Sequence, residues 1–523
     1  MTLSKQNKKF YLWKFINLFF TRAYLVAALL ILQFLIIFNL SLDFFRYSIQ
    51  LYVVALLFSL AVVIYLTSTK ENPAYKLAWT IFIFIIPPAG ALIYLFCGFR
   101  QQPRKKALKI DKIYTQTNAL LIQNSQTWQA LKNYQNTNYI NLQHFSYLLG
   151  FANAPIYNHT QTQYLPSGES FFQTLKKELL QAEKFIFMEY FIIEQGAMWN
   201  QILTILQTKV KEGVEVRLLY DDMGCLLTLP TNYAKKLNRL GIKTLVFNRF
   251  KPLLEVHMNN RDHRKITVID GKVGFVGGIN LADEYININS QFGHWKDAAI
   301  CLKGEAVWSL TVMFLQFWNM NQKTLENFEK YKHHSSLILK NDGFVQPFSD
   351  TPQDDELVSK NVYLNLINKA KKYIYITTPY LIIDHELVTA LTLAAKNGVR
   401  VKIILPAIPD KWYVQYLSQS FYISLLEAGV QIYEYLPGFI HSKTFLVDNE
   451  LGVVGTINLD YRSLYLHFEC GVLIYGSRAL KQMNRDWSKT LDQCRLIDIK
   501  KVTEVKLTTR VIRGLLRVIA PLM

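Results

Sequence analysis

The sequence predicts an α/β fold: two similar α/β repeats packed with pseudo-twofold symmetry, preceded by an N-terminal transmembrane helical region. Three observations predict it. One polar pattern, H-x-K-x4-D-x6-G-[GT]-x-N, occurs twice, from His263 to Asn280 and from His441 to Asn458. Around each copy, apolar strand-like runs alternate with helix-like runs in the same order. Long uncharged stretches lie only at the N-terminal end.

Composition sets the outer bounds. At 523 residues the chain has room for several domains, each able to bury a core. Hydrophobic residues make up 51% and mean hydropathy is +0.10, high for a soluble protein. The net charge of +19 suits anionic lipid or nucleic acid, and charge alone does not choose. Five scattered cysteines, with no C-x-x-C, support neither a disulfide framework nor a zinc site. A reduced, cytosol-facing catalytic region is the simpler expectation.

Taken in order, residues 1–22 form a basic tail and 23–42 a first uncharged run. Residues 47–69 form a second. Each is long enough to cross roughly 30 Å of hydrocarbon as a helix. The third run, 77–99, is interrupted by Pro87-Pro88-Ala89-Gly90, which breaks helical hydrogen bonding. Basic residues cluster in the tail, around Lys70 and Lys76, and from Arg100 to Lys109, whereas the loop between the first two runs carries only Arg46. The positive-inside rule then places tail, second loop and following segment in the cytoplasm. Two crossings plus a re-entrant hairpin satisfy this pattern; three crossings leave one basic flank outside. Residues 100–162 read as a connector, 163–325 and 356–495 as the repeats, and 326–355 as a polar linker. At 500–523, Leu507, Val511, Leu515, Val518 and Leu522 fall at helical spacing, with Arg510, Arg513 and Arg517 between them. Such a basic amphipathic helix suits either an anionic membrane or the catalytic domain.

Each repeat runs through the same steps. Residues 184–193 and 372–383 read as buried strands, and the helices that follow stop at Glu212-Gly213 and Asn397-Gly398. Strands follow at 214–220 and 399–405, then at 240–247 and 428–435, and the His-x-Lys strand closes each pass. Alternate residues of a strand share a face. His263 and Lys265 therefore point one way, as do His441 and Lys443, while Asp270 and Asp448 have the opposite parity. Asp270-Gly271 and Asp448-Asn449 sit where a hairpin turn belongs, so the motif Asp is expected to set a turn and bond to backbone.

Two His, two Lys and two Asn converging on one point make a phosphate site. Lys265 and Lys443 supply charge to non-bridging oxygens; Asn280, Asn458 and the backbone at Gly278 and Thr456 are candidate phosphate donors. One neutral His can attack phosphorus while the other protonates the leaving alkoxide and later deprotonates the incoming alcohol. The pseudo-symmetry makes the two alike; His263 is the expected nucleophile. No metal or other cofactor is needed, and no carboxylate cluster stands ready to hold one. A His nucleophile needs a partner on its other ring nitrogen, for which Asp297 and Glu469 are candidates, against the plainer reading of surface carboxylates. Tyr190 and Tyr380 read as core or cleft walls. His257, His294, His385 and His467 read as structural, and His333-His334 as a solvated pair.

These residues resemble the phospholipase D superfamily and, within it, bacterial cardiolipin synthases. The resemblance runs from Asn72-Pro73-Ala74, through His263–Asn280, Phe292–Asp297 and Gly438–Lys443, to Val454–Ser463 and Glu469. It implies a covalent phosphohistidine, with catalytic residues at His263, Lys265 and Asp270 and at His441, Lys443 and Asp448. It implies that two phosphatidylglycerols give cardiolipin and glycerol, at the bacterial plasma membrane, with a multi-pass anchor and a cytoplasmic catalytic domain. One departure is His467, where the family usually has Asn. The expected partners are phosphatidylglycerol and anionic membrane lipid, without nucleic acid. Hydrolysis or another acceptor alcohol is the nearest alternative; a nuclease and a non-catalytic lipid tether are the others.

Overall fold

In a computed structural model of the chain, residues 31–36, 38–39, 49–98, 104–134, 142–249, 259–289, 291–320, 325–333 and 342–522 are described. The basic tail 1–22, most of the run 23–42, His257 and His334 lie outside them. The chain forms two compact units, the smaller carrying the N-terminal apolar segments.

In the smaller unit, Ile49–Ser68 is a 20-residue helix with no charged residue. At 1.5 Å per residue it spans about 30 Å. Among the described residues it is the one helix long and apolar enough to cross a membrane. The next run is a helical hairpin. Asn72 caps the helix Pro73–Ile85 by accepting from the Ala74 N–H at 2.8 Å, with Pro73 at the position that needs no donor. That helix stops before Pro87-Pro88, and a second, Ala89–Ile93, continues into a π-helical turn, Tyr94–Gly98. Gly90 sits where a Cβ would stand 2.7 Å from the Ile83 Cα, so only glycine lets the two arms meet. Tyr75 Oη donates to the Gly98 carbonyl at 2.9 Å across 23 residues. An unbroken helix would hold those groups about 35 Å apart.

The larger unit contains both repeats, and their sheets share one strand order. The first sheet uses β1 (Thr160–Leu165), β2 (Phe185–Tyr190), β3 (Glu215–Asp221), β4 (Lys243–Phe247), β5 (Ile266–Ile269), β6 (Val273–Gly277) and β8 (Ala299–Gly304), in the order β1-β8-β6-β5-β2-β3-β4. A short β7 (His294–Lys296) stands apart. The second repeat provides β9 (Phe344–Asp350), β10 (Tyr373–Thr377), β11 (Leu381–Ile382), β12 (Arg400–Pro406), β13 (Gln431–Tyr435), β14 (Gly438–Ile440), β15 (Thr444–Val447), β16 (Leu451–Gly455), β17 (Leu459–Asp460), β18 (Glu469–Tyr475) and β19 (Cys494–Leu496). Its sheet reads β9-β18-β16-β15-β10-β12-β13-β19. The α/β fold and its repetition agree with the sequence pattern. In both sheets the strands after the glycine stops are parallel, and the motif strand is antiparallel to its neighbours. The stops themselves, Gly213 and Gly398, have φ of 88° and 89°, a conformation that favours glycine.

Two boundaries differ from expectation. The stretch 326–355 contains β9, the counterpart of β1, and β1 itself starts before residue 163. Both are edge strands interrupted by polar residues or proline, Thr160 to Gln163 in β1 and Gln346-Pro347 in β9, so their sequences lack the apolar run that marks a central strand. The connector 100–162 is largely helical, at Arg104–Asn118, Ser125–Tyr134 and Leu142–Phe151. The helix Val307–Met320 is buried around nearly its whole circumference. An all-round apolar helix belongs in a core, and here Phe314 and Phe317 join Phe187 and Val268 of one repeat to Phe468 and Val472 of the other.

The C-terminal helix Leu507–Ile519 docks on the helix Trp412–Glu427 through its arginines. Arg513 donates to Gln419 Oε1 at 2.6 Å and to the Val502 carbonyl at 3.0 Å. Arg517 donates to the Ser420 carbonyl at 3.2 Å and lies 4.6 Å over the Phe421 ring.

Candidate active site

Each motif strand brings its His and Lys onto one face, and the structure crosses the two halves there. The segment before His263 pairs with the segment before Glu469: the His263 N–H donates to the Phe468 carbonyl at 3.0 Å, and Phe468 N–H to the Arg261 carbonyl at 2.9 Å. The same exchange recurs in mirror order, where β14 pairs in parallel with β7 and the His441 N–H donates to the Lys296 carbonyl at 2.7 Å. The carboxylates are thereby exchanged. His263 Nδ1 lies 2.9 Å from Glu469 Oε1, and His441 Nδ1 lies 2.7 Å from Asp297 Oδ2. Each histidine thus receives its carboxylate from the other repeat. Both carboxylates are fully buried. With Nδ1–H donating to the carboxylate, the neutral ring keeps its lone pair on Nε2.

Lys265 Nζ donates to the His263 carbonyl at 2.5 Å, and Lys443 Nζ donates to the His441 carbonyl. Burial pushes these ammonium groups down, Lys265 to about 8 and Lys443 to about 7. Burial, then Lys265 and Lys443, holds His263 well below its usual range. Burial and Lys443 bring His441 to about 4 against the pull of Asp297. The lysine of each motif acts on the histidine of the other, so the two halves share one field. The carboxylates differ. Burial raises Glu469 to about 7. Burial also opposes ionisation of Asp297, but His441 and Lys443 outweigh it and hold Asp297 low.

The motif aspartates face away from this cleft. Asp270 accepts the N–H groups of Glu183, Lys184 and Phe185 at 2.9, 2.8 and 2.9 Å. Asp448 accepts those of Lys371, Lys372 and Tyr373 at 2.7, 2.9 and 2.8 Å. Both have positive φ, 53° and 52°, at the turn after the motif strand. Each ties that turn to the start of the neighbouring strand and fixes the register of the His-x-Lys pair.

The expected phosphate donors divide. Asn280 bridges two protein segments, accepting from Ile192 N–H at 3.0 Å and donating to Tyr285 Oη at 2.7 Å. Thr456 donates to Glu469 Oε2 and receives the Cys470 N–H at 3.0 Å. The Asn280 side chain thus differs from its expected use, and so do the backbone N–H groups of Gly278 and Thr456, which donate to the Ala298 and Cys470 carbonyls at 3.0 Å each. Gly278 also lacks room for a side chain: a Cβ there would lie 2.2 Å from Asp297 Oδ1. Asn458 is buried, and its Oδ1 has no hydrogen-bond partner among the described residues.

The walls around the two histidines are unlike. His441 is ringed by Trp295, Tyr285 and Phe439, with centroids at 5.2, 5.6 and 5.9 Å. His263 meets Phe191 at 5.2 Å and His467 at 5.6 Å. His467, read from sequence as structural, occupies the position two before Glu469 that Trp295 occupies before Asp297. That spacing was the available signal. His263, His467 and Glu469 have ligand atoms within 4.8 Å of one another, a cluster able to hold a metal. Arg462, Lys265 and Arg261 act on the same ring, so the local field opposes a dication. The residue between His and Lys also serves the site from behind. Arg264 Nη2 pairs with Glu189 Oε1 at 2.5 Å, and Ser442 Oγ donates to Thr377 Oγ1 at 3.0 Å at the equivalent place. Tyr190 lies in the core, 2.7 Å from Thr267 Oγ1, while Tyr380 donates to Asp410 Oδ2 at 2.7 Å. His294 bonds Tyr435 Oη at 2.9 Å, and His385 opens an exposed helical turn.

A sequence profile described as cardiolipin synthase, PLD-like domain, matches residues 175–317 and 363–491, one block in each repeat. A second, phospholipase D-nuclease N-terminal, matches residues 54–98. A cardiolipin synthase of Geobacillus sp. is 35% identical over 460 residues, 87% of this chain and 90% of its own. An uncharacterized protein of Streptococcus mutans serotype c is 44% identical over 467 residues, covering 88% of this chain and 99% of its own. Among solved structures, the phosphatidylserine synthase of Haemophilus influenzae Rd superposes with a TM-score of 0.53 at 17% identity, covering 69% of this chain and 93% of that one. At that identity it speaks to the fold alone.

Proposed function

The chain belongs to the cardiolipin synthase family of the phospholipase D superfamily, and from that premise we propose that it joins two phosphatidylglycerols into cardiolipin and glycerol through a phosphatidyl-histidine. It is a phosphatidyltransferase with phospholipid substrates. The observation that carries the finer reading is the pair of buried imidazoles, each bonded through Nδ1 to a carboxylate and flanked by a lysine.

His263 Nε2 attacks the phosphorus of one phosphatidylglycerol. The P–O bond to the glycerol headgroup breaks, and His441 Nε2–H gives its proton to the departing oxygen. The second phosphatidylglycerol then yields its hydroxyl proton to His441, its oxygen attacks phosphorus, and the P–N bond breaks. One diester replaces another, so the transfer is close to reversible. His441 suits the acid role because Asp297 is the carboxylate held ionised, and it forms the shorter contact. Its low intrinsic basicity rises when the substrate phosphate sits between Lys265 and Lys443 and offsets their charge. Asp297 and Glu469 orient the rings, and Asp270 and Asp448 hold strand register. The enzyme works as a multi-pass protein of the bacterial plasma membrane, with the catalytic unit cytoplasmic and the run 77–99 re-entering that side. The Tyr75–Gly98 contact supports the re-entrant reading.

Purified protein in detergent with phosphatidylglycerol alone is expected to yield cardiolipin and glycerol in equal amounts, and a rapid denaturing quench at mildly alkaline pH, where the P–N bond survives, to trap the phosphatidyl group on His263. Label on His441 reverses the two roles; phosphatidic acid as the sole product means hydrolysis instead. Accessibility labelling near Arg104 and in the tail on opposite membrane faces would sink the hairpin topology.

A further inference from the structure

The C-terminal helix Leu507–Ile519 is amphipathic, and its two faces are used in an unusual way. Two of its three arginines turn inward. Arg513 is buried and, with Arg517, clamps the helix to Trp412–Glu427. The apolar residues are left outside: Leu507 is 73% exposed, Val511 52% and Leu515 64%. Ile512, Val518 and Ile519 extend the same surface. Isolated exposed apolar residues need no explanation, but a continuous helical stripe beside a well-made polar dock marks an interaction surface.

We propose that this stripe lies on the bilayer surface, so that the helix is an interfacial strut holding the catalytic unit against anionic lipid. The charge around it fits that occupant. The segment from Val505 to Met523 contains no acidic residue. Lys500, Lys501, Lys506 and Arg510 are exposed nearby against the two exposed carboxylates Asp498 and Glu504, so the strip is net basic where lipid phosphates would meet it. A soluble protein partner would be expected to face a mixed or complementary acidic rim, and none is present on this helix. The placement also has a use. The helix Trp412–Glu427, on which the strut docks, accepts the Leu381 N–H at Ser418 Oγ at 3.2 Å, and β11 pairs in parallel with β17, which directly follows Asn458. Seating the strut on lipid therefore sets the height at which that side of the active-site segment meets headgroups. The inference rests on the phospholipid substrate of the proposed reaction but not on which headgroup is used.

The test uses full-length protein in nanodiscs of phosphatidylglycerol and phosphatidylcholine, with a photoreactive benzophenone side chain replacing Val511 or Leu515, and the exposed Lys235 as control. Illumination is expected to give phospholipid adducts at 511 and 515 and none at 235. In a Val511→Glu/Leu515→Glu protein of unchanged melting temperature, carrying the probe at 518, adduct yield is expected to fall about tenfold. Protein–protein adducts at 515, or no lipid adduct at 511 and 515, overturn the proposal. Adduct formation requires no turnover. Missing adducts in an active enzyme therefore sink the strut alone, and missing cardiolipin with intact adducts sinks the reaction alone.

Discussion

Replacing Asp297 by Asn tests the exchanged carboxylates directly. The change keeps volume and removes the charge that faces His441 Nδ1 at 2.7 Å in a fully buried position. In the proposed transition state His441 gives up or takes a proton, so the imidazolium is the form that needs Asp297. A charge-assisted hydrogen bond is worth about 1.5–3 kcal/mol, which sets the loss at roughly 10- to 150-fold in rate. If the amide NH2 turns toward Nδ1, the ring is forced into the other tautomer and the loss is larger. The assay is the initial rate of glycerol release from phosphatidylglycerol micelles for Asp297→Asn, His441→Ala and the double variant. Because Asp297 acts through His441, the double variant should be no slower than His441→Ala. A rate within twofold of the parent for Asp297→Asn, or full additivity in the double variant, would refute the reasoning.

Three further outcomes are expected. Asp270→Ala removes the acceptor of three backbone N–H groups, so stability should fall by about 2–4 kcal/mol while the rate per folded molecule stays within about threefold; a thermal melt beside an activity titration checks both. As pH rises above 7, kcat/KM should fall in two steps, because Lys443 near 7 and then Lys265 near 8 lose the charge that binds phosphate, and below pH 7 it should fall again as Glu469 takes a proton. The alkaline limb of kcat should lie higher, since bound phosphate stabilises both ammonium groups; a flat kcat/KM profile from pH 6 to 9 is the contrary result. Gly278→Ala should cost at least about tenfold in rate, because its Cβ would stand 2.2 Å from Asp297 Oδ1 and displace it from His441; rates measured at matched folded fraction decide.

Much of this was legible in the sequence for a simple reason. Strand periodicity is local, so parity alone separates the His–Lys face from Asp270 and Asp448. The repeat of apolar runs gives the doubled α/β plan without any knowledge of contacts. What the sequence hides is which half serves which. Asp297 and Glu469 stand at equivalent positions, and nothing in their spacing says that their partners lie 144 and 206 residues away. Asn280 and Thr456 carry the groups of a phosphate site, yet their use is decided by neighbours from distant segments. The edge strand β9 was hidden among polar residues, because edges need no apolar run. The C-terminal helix showed its amphipathic spacing but not its sidedness: arginines that suit lipid phosphate also suit a carbonyl and an aromatic ring on Trp412–Glu427.

The exchanged histidine partners have a consequence for how such an enzyme arises and how it fails. A repeat that kept its own carboxylate could work alone and tolerate its twin's decay. Here each half is the cofactor of the other. Under the proposed mechanism a lesion in either half reaches the histidine of the other, and no transfer precedes the docking of the two. On that mechanism turnover is a readout of complete assembly, and a half-finished chain at the membrane has no competent histidine with which to cut the lipid around it.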